Sequence, residues 1–330
     1  MPARTTPALP PDISMQPVVI AGGGIIGLSI ALELARRGVR ATVFERGRAM
    51  EQASWAAAGM LAAEDPHNPP GLRDISKYSK DLYPDFLARI ESLSGLAVPI
   101  QTRIAVQHGI DGSRTRLEEM SLDPRQLAVA LLAATRAADV HLREESPMED
   151  SNLKRLTKVM AAGAWAGKLS PEGRVPVSPR KGQMLRVALP EELRALGEVH
   201  RSEAVYVVPR TAGPQAGTAV IGATVEDAGF DTATHADDLE RLRALAAELL
   251  PALSDEQAAP IVEAWAGLRP ATPDMLPVIG RDGDVLWATG HFRNGILLAP
   301  ATAQIVADLI EGKEPVVTLD AFAPQRFRAS

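Results

Sequence analysis

The residues best placed to do chemistry lie near the carboxyl end, where Ala288 to Ala303 reads A-T-G-H-F-R-N-G-I-L-L-A-P-A-T-A. The apolar run Val285, Leu286 and Trp287 has the character of a strand and stops at Thr289-Gly290. His291 and Arg293 follow, and an apolar, helix-like run begins near Gly295. The first N–H groups of a helix have no partner within it, and its dipole places partial positive charge at that end. A helix opening beside an imidazole and a guanidinium is therefore an anion site, suited to a group that gains negative charge during a reaction. By itself the segment also fits a loop that closes a core strand and leaves a solvated arginine.

A second set of residues near the amino end narrows the choice. After Pro17, Val18, Val19 and Ile20 comes A-G-G-G-I-I-G, then a periodic segment from Leu28 to Arg37, Gly38, and the run Ala41 to Phe44 ending at Glu45. This is G-x-G-x-x-G between a strand and a helix, with an acid about 20 residues further on. Gly22 permits the tight turn, Gly24 lets the backbone approach a pyrophosphate, and Gly27 allows close helix packing. Glu45 is placed to accept from ribose hydroxyls. The complete unit indicates a dinucleotide site, and its glycines serve flavin and nicotinamide dinucleotides alike.

These residues need a scaffold. Ala53 to Ala63, A-S-W-A-A-A-G-M-L-A-A, is rich in small residues, as a backbone passing close to a bulky ligand would be. Asp74 to Ser94 is helical in pattern, with a break expected at Tyr83-Pro84. Asp123-Pro124 opens a helix that runs through Ala138. Thr157 to Trp165 reads as a strand leading into a turn at Gly163. Short strands are expected at Val175 to Val177, Gln183 to Val187, Val205 to Val208 and Thr218 to Ile221, followed by a helix from Ala236 to Leu250 that Pro251 closes. Ile261 to Leu268 and Val285 to Ala288 read as strands returning to the first domain.

The expected fold is α/β with a β-rich insertion: a Rossmann-like nucleotide domain of the glutathione-reductase type and a discontinuous substrate domain on a mixed or antiparallel sheet. The boundaries read from the pattern are a disordered extension over 1–16, a nucleotide domain from 17–72, 118–168 and 262–330, and a substrate domain from 73–117 and 169–261.

Composition limits the function further. With 330 residues, 46% hydrophobic, the chain can bury two cores. A net charge of -6 argues against nucleic acid as a partner. No apolar run reaches membrane-spanning length and the proline-rich start lacks a signal core, so a soluble, cytoplasmic protein is expected. The absence of cysteine excludes disulfides, a catalytic thiol and attachment of a flavin through sulfur. The six histidines show no metal-binding spacing, so no metal is expected.

With both glycine segments and W-A-G-L-R-P-A-T-P-D-M-L-P-V-I-G (Trp265 to Gly280) in view, the chain resembles the FAD-dependent D-amino acid oxidase and glycine oxidase family. Within that family it is most similar to the glycine oxidase branch of thiamine biosynthesis. The motifs A-A-A-G-M-L, K-G-Q-M-L-R, Y-V-V-P-R, I-G-A-T-V-E-D-A-G-F-D and G-H-F-R-N-G-I-L-L-A-P-A-T carry the likeness. The resemblance implies non-covalent FAD. Its contacts would be Gly22, Gly24, Ile25, Ile26 and Gly27 at the pyrophosphate turn, Glu45 and Arg46 at the ribose, then Ala53 and Ser54. Ala58, Gly59 and Met60 would lie beside the ring, Met148 at the adenine end, Gly163 at the glycine turn, and His291, Phe292, Arg293, Asn294, Gly295, Ile296 and Leu297 around the pyrimidine edge. Substrate would meet Arg269 through its carboxylate, with Tyr206, Arg293 and Met60 around it. A planar guanidinium holding a carboxylate through two parallel hydrogen bonds fixes the α-carbon, which supports that role physically.

The resemblance implies oxidative deamination of glycine or another small amine or D-amino acid by hydride transfer to flavin N5, with oxygen as acceptor. No side chain is expected to act as catalyst, and a homotetramer is the assembly it suggests. Two regions are shorter than the family pattern, between Gln107 and Ser121 and between Met148 and Thr157. The rival readings are a D-amino acid or sarcosine oxidase or a dehydrogenase using another acceptor, a NAD(P)-dependent dehydrogenase, and a flavin-binding protein without turnover.

Overall fold

The structure, a computed structural model, describes residues 17–148 and 156–328. The extension expected over residues 1–16, and most of the short region after Met148, lie outside the described residues. In chain order the strands begin with β1 (Val18–Ala21), β2 (Ala41–Phe44), β3 (Met60–Leu61), β4 (Ile100–Thr102), β5 (Ala105–His108), β6 (Arg114–Leu117), β7 (Met120–Leu122) and β8 (His141–Arg143). They continue with β9 (Thr157–Met160), β10 (Ser178–Ala188), β11 (Val199–Arg201), β12 (Tyr206–Arg210), β13 (Thr218–Gly222), β14 (Ile261–Ala271), β15 (Val278–Asp282) and β16 (Val285–Thr289). The helices are α1 (Ile25–Arg36), α2 (Ala53–Ala56), α3 (Arg73–Ser94), α4 (Pro124–Ala137), α5 (Ala166–Leu169), α6 (Ala236–Leu249) and α7 (Gly295–Ile310).

Strands and helices form the mixed architecture that the pattern implies. A six-stranded sheet runs β15-β16-β9-β1-β2-β8, parallel except for β15. Its central strand β1 is buried throughout, as a strand covered on both faces must be. A seven-stranded sheet runs β14-β10-β13-β12-β11-β5-β6, antiparallel except where β11 meets β5. One face packs on α6 through Leu185, Val207, Ile221, Leu242 and Ala246. The other carries Met184, Val208 and Val220 against Ala56 and Ala58. Strands β3, β7 and β4 make a small third sheet.

Three expectations need correction. Pro84 does not break the helix: α3 runs unbroken for 22 residues. Pro84 itself is exposed, while Ile75, Tyr83, Phe86 and Ile90 stay buried and hold the helix against the core. The strand over Ile261 to Leu268 does not return to the first domain. It belongs to β14, which pairs with β10 from Arg180 opposite Arg269 to Val187 opposite Ile261, so the boundary at 262 falls inside a strand of the second sheet. Val175 to Val177 forms no strand; the run begins at Ser178. The segment between Gln107 and Ser121 closes as a tight β5–β6 hairpin.

Two features seat α7. Pro300 lies inside it and cannot donate to Ile296 O four residues earlier; the Tyr83 hydroxyl of α3 donates to that carbonyl instead. Ser79 Oγ donates to Leu297 O at 2.6 Å and accepts from Ala301 N at 3.2 Å. At the far end, buried Glu33 of α1 accepts from Arg36, Arg37 and Arg89, and Arg37 also reaches Asp308 of α7 and Glu311 just past its end. Burial alone would raise the Glu33 carboxyl, but the three arginines bring it down to about 2. A depressed acid contributes stability that is lost as pH falls from about 4.5 towards 2.

Candidate active site

The glycine turn after β1 is built as the motif requires. Gly22 has φ +111°, and a β-carbon on Gly27 would lie 1.9 Å from Gly22 O, so helix and turn touch backbone to backbone. Gly24 caps α1 without a side-chain bond, and the Ile25 N–H donates to Ser54 Oγ at 2.9 Å. Glu45 is buried after β2 and accepts from Gly23 N at 2.8 Å and Gly47 N at 3.0 Å, one to each carboxylate oxygen. Each oxygen keeps a further acceptor site for a ribose hydroxyl. Glu45→Ala is therefore expected to weaken FAD binding roughly 10- to 100-fold, the worth of a charge-assisted hydrogen bond. Fluorescence titration of the apoprotein measures this, and unchanged affinity would remove Glu45 from the ribose site.

One cleft runs from the start of α1 to the start of α7. Gly24, Ile25, Ile26, Ala53, Ser54, Ala58, Gly59, Met60 and Gly163 line it, together with His291 to Ile296. The wall of small residues from Ala53 to Gly59 leaves room for a broad planar group, and two helix starts of 12 and 16 residues point free N–H groups into it. Those features fit a flavin dinucleotide: the α1 turn suits its pyrophosphate, and the α7 start suits the edge of the ring that becomes negative. In α7 the first intrahelical donor is Leu298 N, to Asn294 O at 2.8 Å, which leaves the N–H groups of Gly295, Ile296 and Leu297 for that edge.

Not every expected contact lines the cleft. Gly22, Gly27 and Glu45 do not line it; the two glycines shape the turn, and Glu45 accepts from Gly23 N beside it. The Leu297 side chain is in the core, so only its backbone can serve. Arg46 stacks over the Trp165 ring at 3.5 Å, and Met148 packs against the cluster of Ala21, Met160 and Trp287.

His291 supplies no positive charge to this site. It is buried, with Nε2 3.0 Å from Thr302 Oγ1, and burial pushes its pKa down to about 3. His200 is likewise pushed down to about 4, by burial and then by neighbouring His108. Since both folded values lie below the unfolded value of 6.5, the unfolded state binds more protons between them. Stability is then expected to fall with pH below 6.5 by about 1.4 kcal/mol per pH unit per histidine. His291→Asn should remove one proton from that slope in urea unfolding of the apoprotein; an unaltered slope would mean His291 is charged in the fold.

Elsewhere along the cleft, the sheet register sets Met184 opposite Gly222 and Gly222 opposite Tyr206, with Arg269 four residues beyond Trp265 on the same face. Tyr206, Met184, Gly222 and Arg269 line the cleft. Burial and nearby Arg293 push the Arg269 guanidinium below the usual arginine range, while Tyr206 beside it opposes the shift. Arg269 Nη1 donates to Thr224 O at 3.0 Å. A β-carbon on Gly182 would lie 2.2 Å from that same nitrogen, so the glycine of K-G-Q makes the space Arg269 occupies.

Residues flanking that glycine act on the opposite face of the strand. Lys181, fully buried, bonds to Asp231 at 2.6 Å, and Gln183 bonds to Glu226 at 2.9 Å and Asp238 at 2.6 Å. They pin the segment that carries Thr224, and so hold Arg269 indirectly. Sequence reasoning assigned neither a role. It also missed Asp65, His67 and Arg201, which line the cleft, and Glu119 behind Arg201. No local spacing announces these four, because their partners come from distant segments.

Among the described residues no helix is long and apolar enough to cross a membrane. The family model for FAD-dependent oxidoreductases, DAO, matches residues 17–120 and 109–309. Glycine oxidase of Pseudomonas aeruginosa is 33% identical over 371 aligned positions, covering 93% of this chain and 98% of the relative. The bifunctional protein ThiO/ThiG of Trichormus variabilis is 34% identical over 369 positions, covering 94% of this chain but 55% of the relative, so the chain spans about half of that protein. A crystal structure of glycine oxidase from Geobacillus kaustophilus superposes with a TM-score of 0.87 at 27% identity, covering 96% of this chain and 100% of that one. Alignments longer than the 330-residue chain require insertions in the two relatives, in keeping with the short regions noted above.

Proposed function

This chain belongs to the DAO family of FAD-dependent oxidoreductases and is an FAD-dependent amine oxidoreductase; from that premise we propose that it oxidatively deaminates glycine and other small amines or D-amino acids. The products are the oxo acid, ammonia and hydrogen peroxide. We assign the dinucleotide to the part of the chain built on the six-stranded sheet and the substrate to the face of the seven-stranded sheet that meets it.

The observation that carries this reading is Arg269. It lies in the cleft beside Tyr206, held by backbone carbonyls rather than by a carboxylate. A half-buried guanidinium with no acid partner among the described residues is suited to pair with an arriving anion. The carboxylate of a small amino acid is such an anion, and holding it by two parallel bonds orients the α-carbon towards the small-residue wall. When bound, FAD supplies the redox chemistry, taking a hydride at N5 and passing the electrons to oxygen. The N–H groups opening α7 stabilise negative charge at the near edge of the ring. Met60 and Tyr206 close the pocket around the amine and exclude water. A glycine-derived imine would also supply thiazole formation in thiamine biosynthesis, and a bifunctional ThiO/ThiG protein is among the relatives.

Purified protein reconstituted with FAD is expected to release peroxide from glycine, with sarcosine and D-alanine as competitors for preference. Reduction of the bound flavin by glycine without peroxide would replace oxygen by another acceptor. Failure of all three amines to reduce the flavin would overturn the reading.

A further inference from the structure

Three guanidiniums line the cleft, and the chain's own carboxylates answer two of them. Arg201 is buried, with Nη1 2.7 Å from one oxygen of Glu119 and Nη2 3.2 Å from the other. Arg293 Nη2 lies 3.3 Å from Asp65 Oδ2, and that oxygen is also 3.9 Å from Arg201 Nη1. The wall therefore alternates in sign: Arg293, Asp65, Arg201, Glu119. Arg269 forms no ion pair among the described residues and is the one pocket guanidinium left for a ligand anion.

Asp65 is fixed in this position. Its Oδ1 accepts from His67 N at 2.9 Å and lies 3.1 Å from His67 Nδ1, which leaves Oδ2 to the two arginines. Burial would raise its pKa, but Arg201 and Arg293 hold it below the usual carboxylate range, so it is ionised at neutral pH. We propose that Asp65 restricts the pocket to substrates with a single carboxylate, by occupying from within the chain the anion position on Arg293 that a second carboxylate would need. This rests on reading Arg269 as the site of the first. An amino acid with one carboxylate leaves the alternating wall intact. A dicarboxylic substrate such as N-carboxymethylglycine or D-aspartate sets its second charge against the largely buried Asp65, where like-charge repulsion is screened less than in bulk water.

The test uses the FAD-loaded protein, with acetate and malonate as probes and perturbation of the flavin absorption as readout. In the wild type acetate is expected to bind and malonate to bind much more weakly. Asp65→Asn keeps an acceptor for His67 N while removing the charge, and Asp65→Ala removes both. In either variant the ratio of malonate to acetate affinity should rise by about tenfold or more, the scale of one recovered ion pair. The kcat/KM for N-carboxymethylglycine relative to glycine should rise with it. A ratio unchanged in both variants, or a wild type that binds malonate as tightly as acetate, overturns the inference. Acetate binding that survives Arg269→Ala would instead overturn the carboxylate role of Arg269, and the inference with it.

Discussion

Arg269→Ala is expected to raise the KM for glycine by about 10²- to 10³-fold, because truncating one partner of a buried, hydrogen-bonded charge pair costs roughly 3–5 kcal/mol. The protein should remain yellow with its FAD affinity unchanged, since Arg269 lies on β14 of the seven-stranded sheet, away from the glycine turn and Glu45. A fall in kcat should accompany the rise in KM, because the two parallel bonds orient the α-carbon as well as retain the substrate. Arg269→Lys keeps the charge but loses the planar fork, and should fall between the two. Gly182→Ala offers a separate route to the same defect: its new methyl would lie 2.2 Å from Arg269 Nη1 and must displace the guanidinium while leaving the charge in place. Steady-state kinetics with glycine, alongside a flavin titration, check all three. Normal glycine oxidation by Arg269→Ala would remove it from the substrate site.

Gly27→Ala acts at the other end of the cleft, and its expected effect on the cofactor is as large. The added carbon would lie 1.9 Å from Gly22 O and 3.1 Å from Gly22 C, both backbone atoms, so α1 and the turn must separate by about 1 Å. That separation misaims the N–H groups that open α1 and loosens the Gly23 N–H bond to Glu45. FAD affinity is expected to fall by at least about 100-fold, as two or more charge-assisted bonds to the pyrophosphate are lost. Overpacking of this kind also destabilises the apoprotein by roughly 1–3 kcal/mol. Flavin content on purification and urea unfolding of the apoprotein report the two effects separately. A yellow variant of ordinary affinity would mean that the turn does not hold the pyrophosphate.

The two glycine-bearing turns lie at opposite ends of the chain, yet both were legible before folding was considered. Gly22 to Gly27 and Thr289 to Gly295 announce themselves because turn chemistry, strand alternation and helix onset are written within a few consecutive residues. The same holds for α4, whose Asp123 accepts from Arg125 N at 2.9 Å as an acid before proline implies. At Pro84 local propensity is overridden by the burial of Tyr83 and Phe86, which holds the helix against the core. Strand β14 misled for a related reason. Its alternation is visible, but which sheet it joins depends on a register with β10 about 80 residues away.

By itself, then, the sequence determined the two glycine turns, the helices that follow them and the absence of thiol chemistry, and its family resemblance singled out Arg269 as a candidate for a substrate carboxylate. Only the tertiary structure decided the electrostatics of the pocket. Burial beside Thr302 pushes the His291 pKa down; Asp65 and Glu119 pair with Arg293 and Arg201, while Arg269 has no ion-pair partner among the described residues; and Lys181 is buried, bonded to Asp231. Backbone turns are encoded by neighbours in the chain, whereas the charge and reach of a side chain are set by desolvation and by partners that only folding brings together.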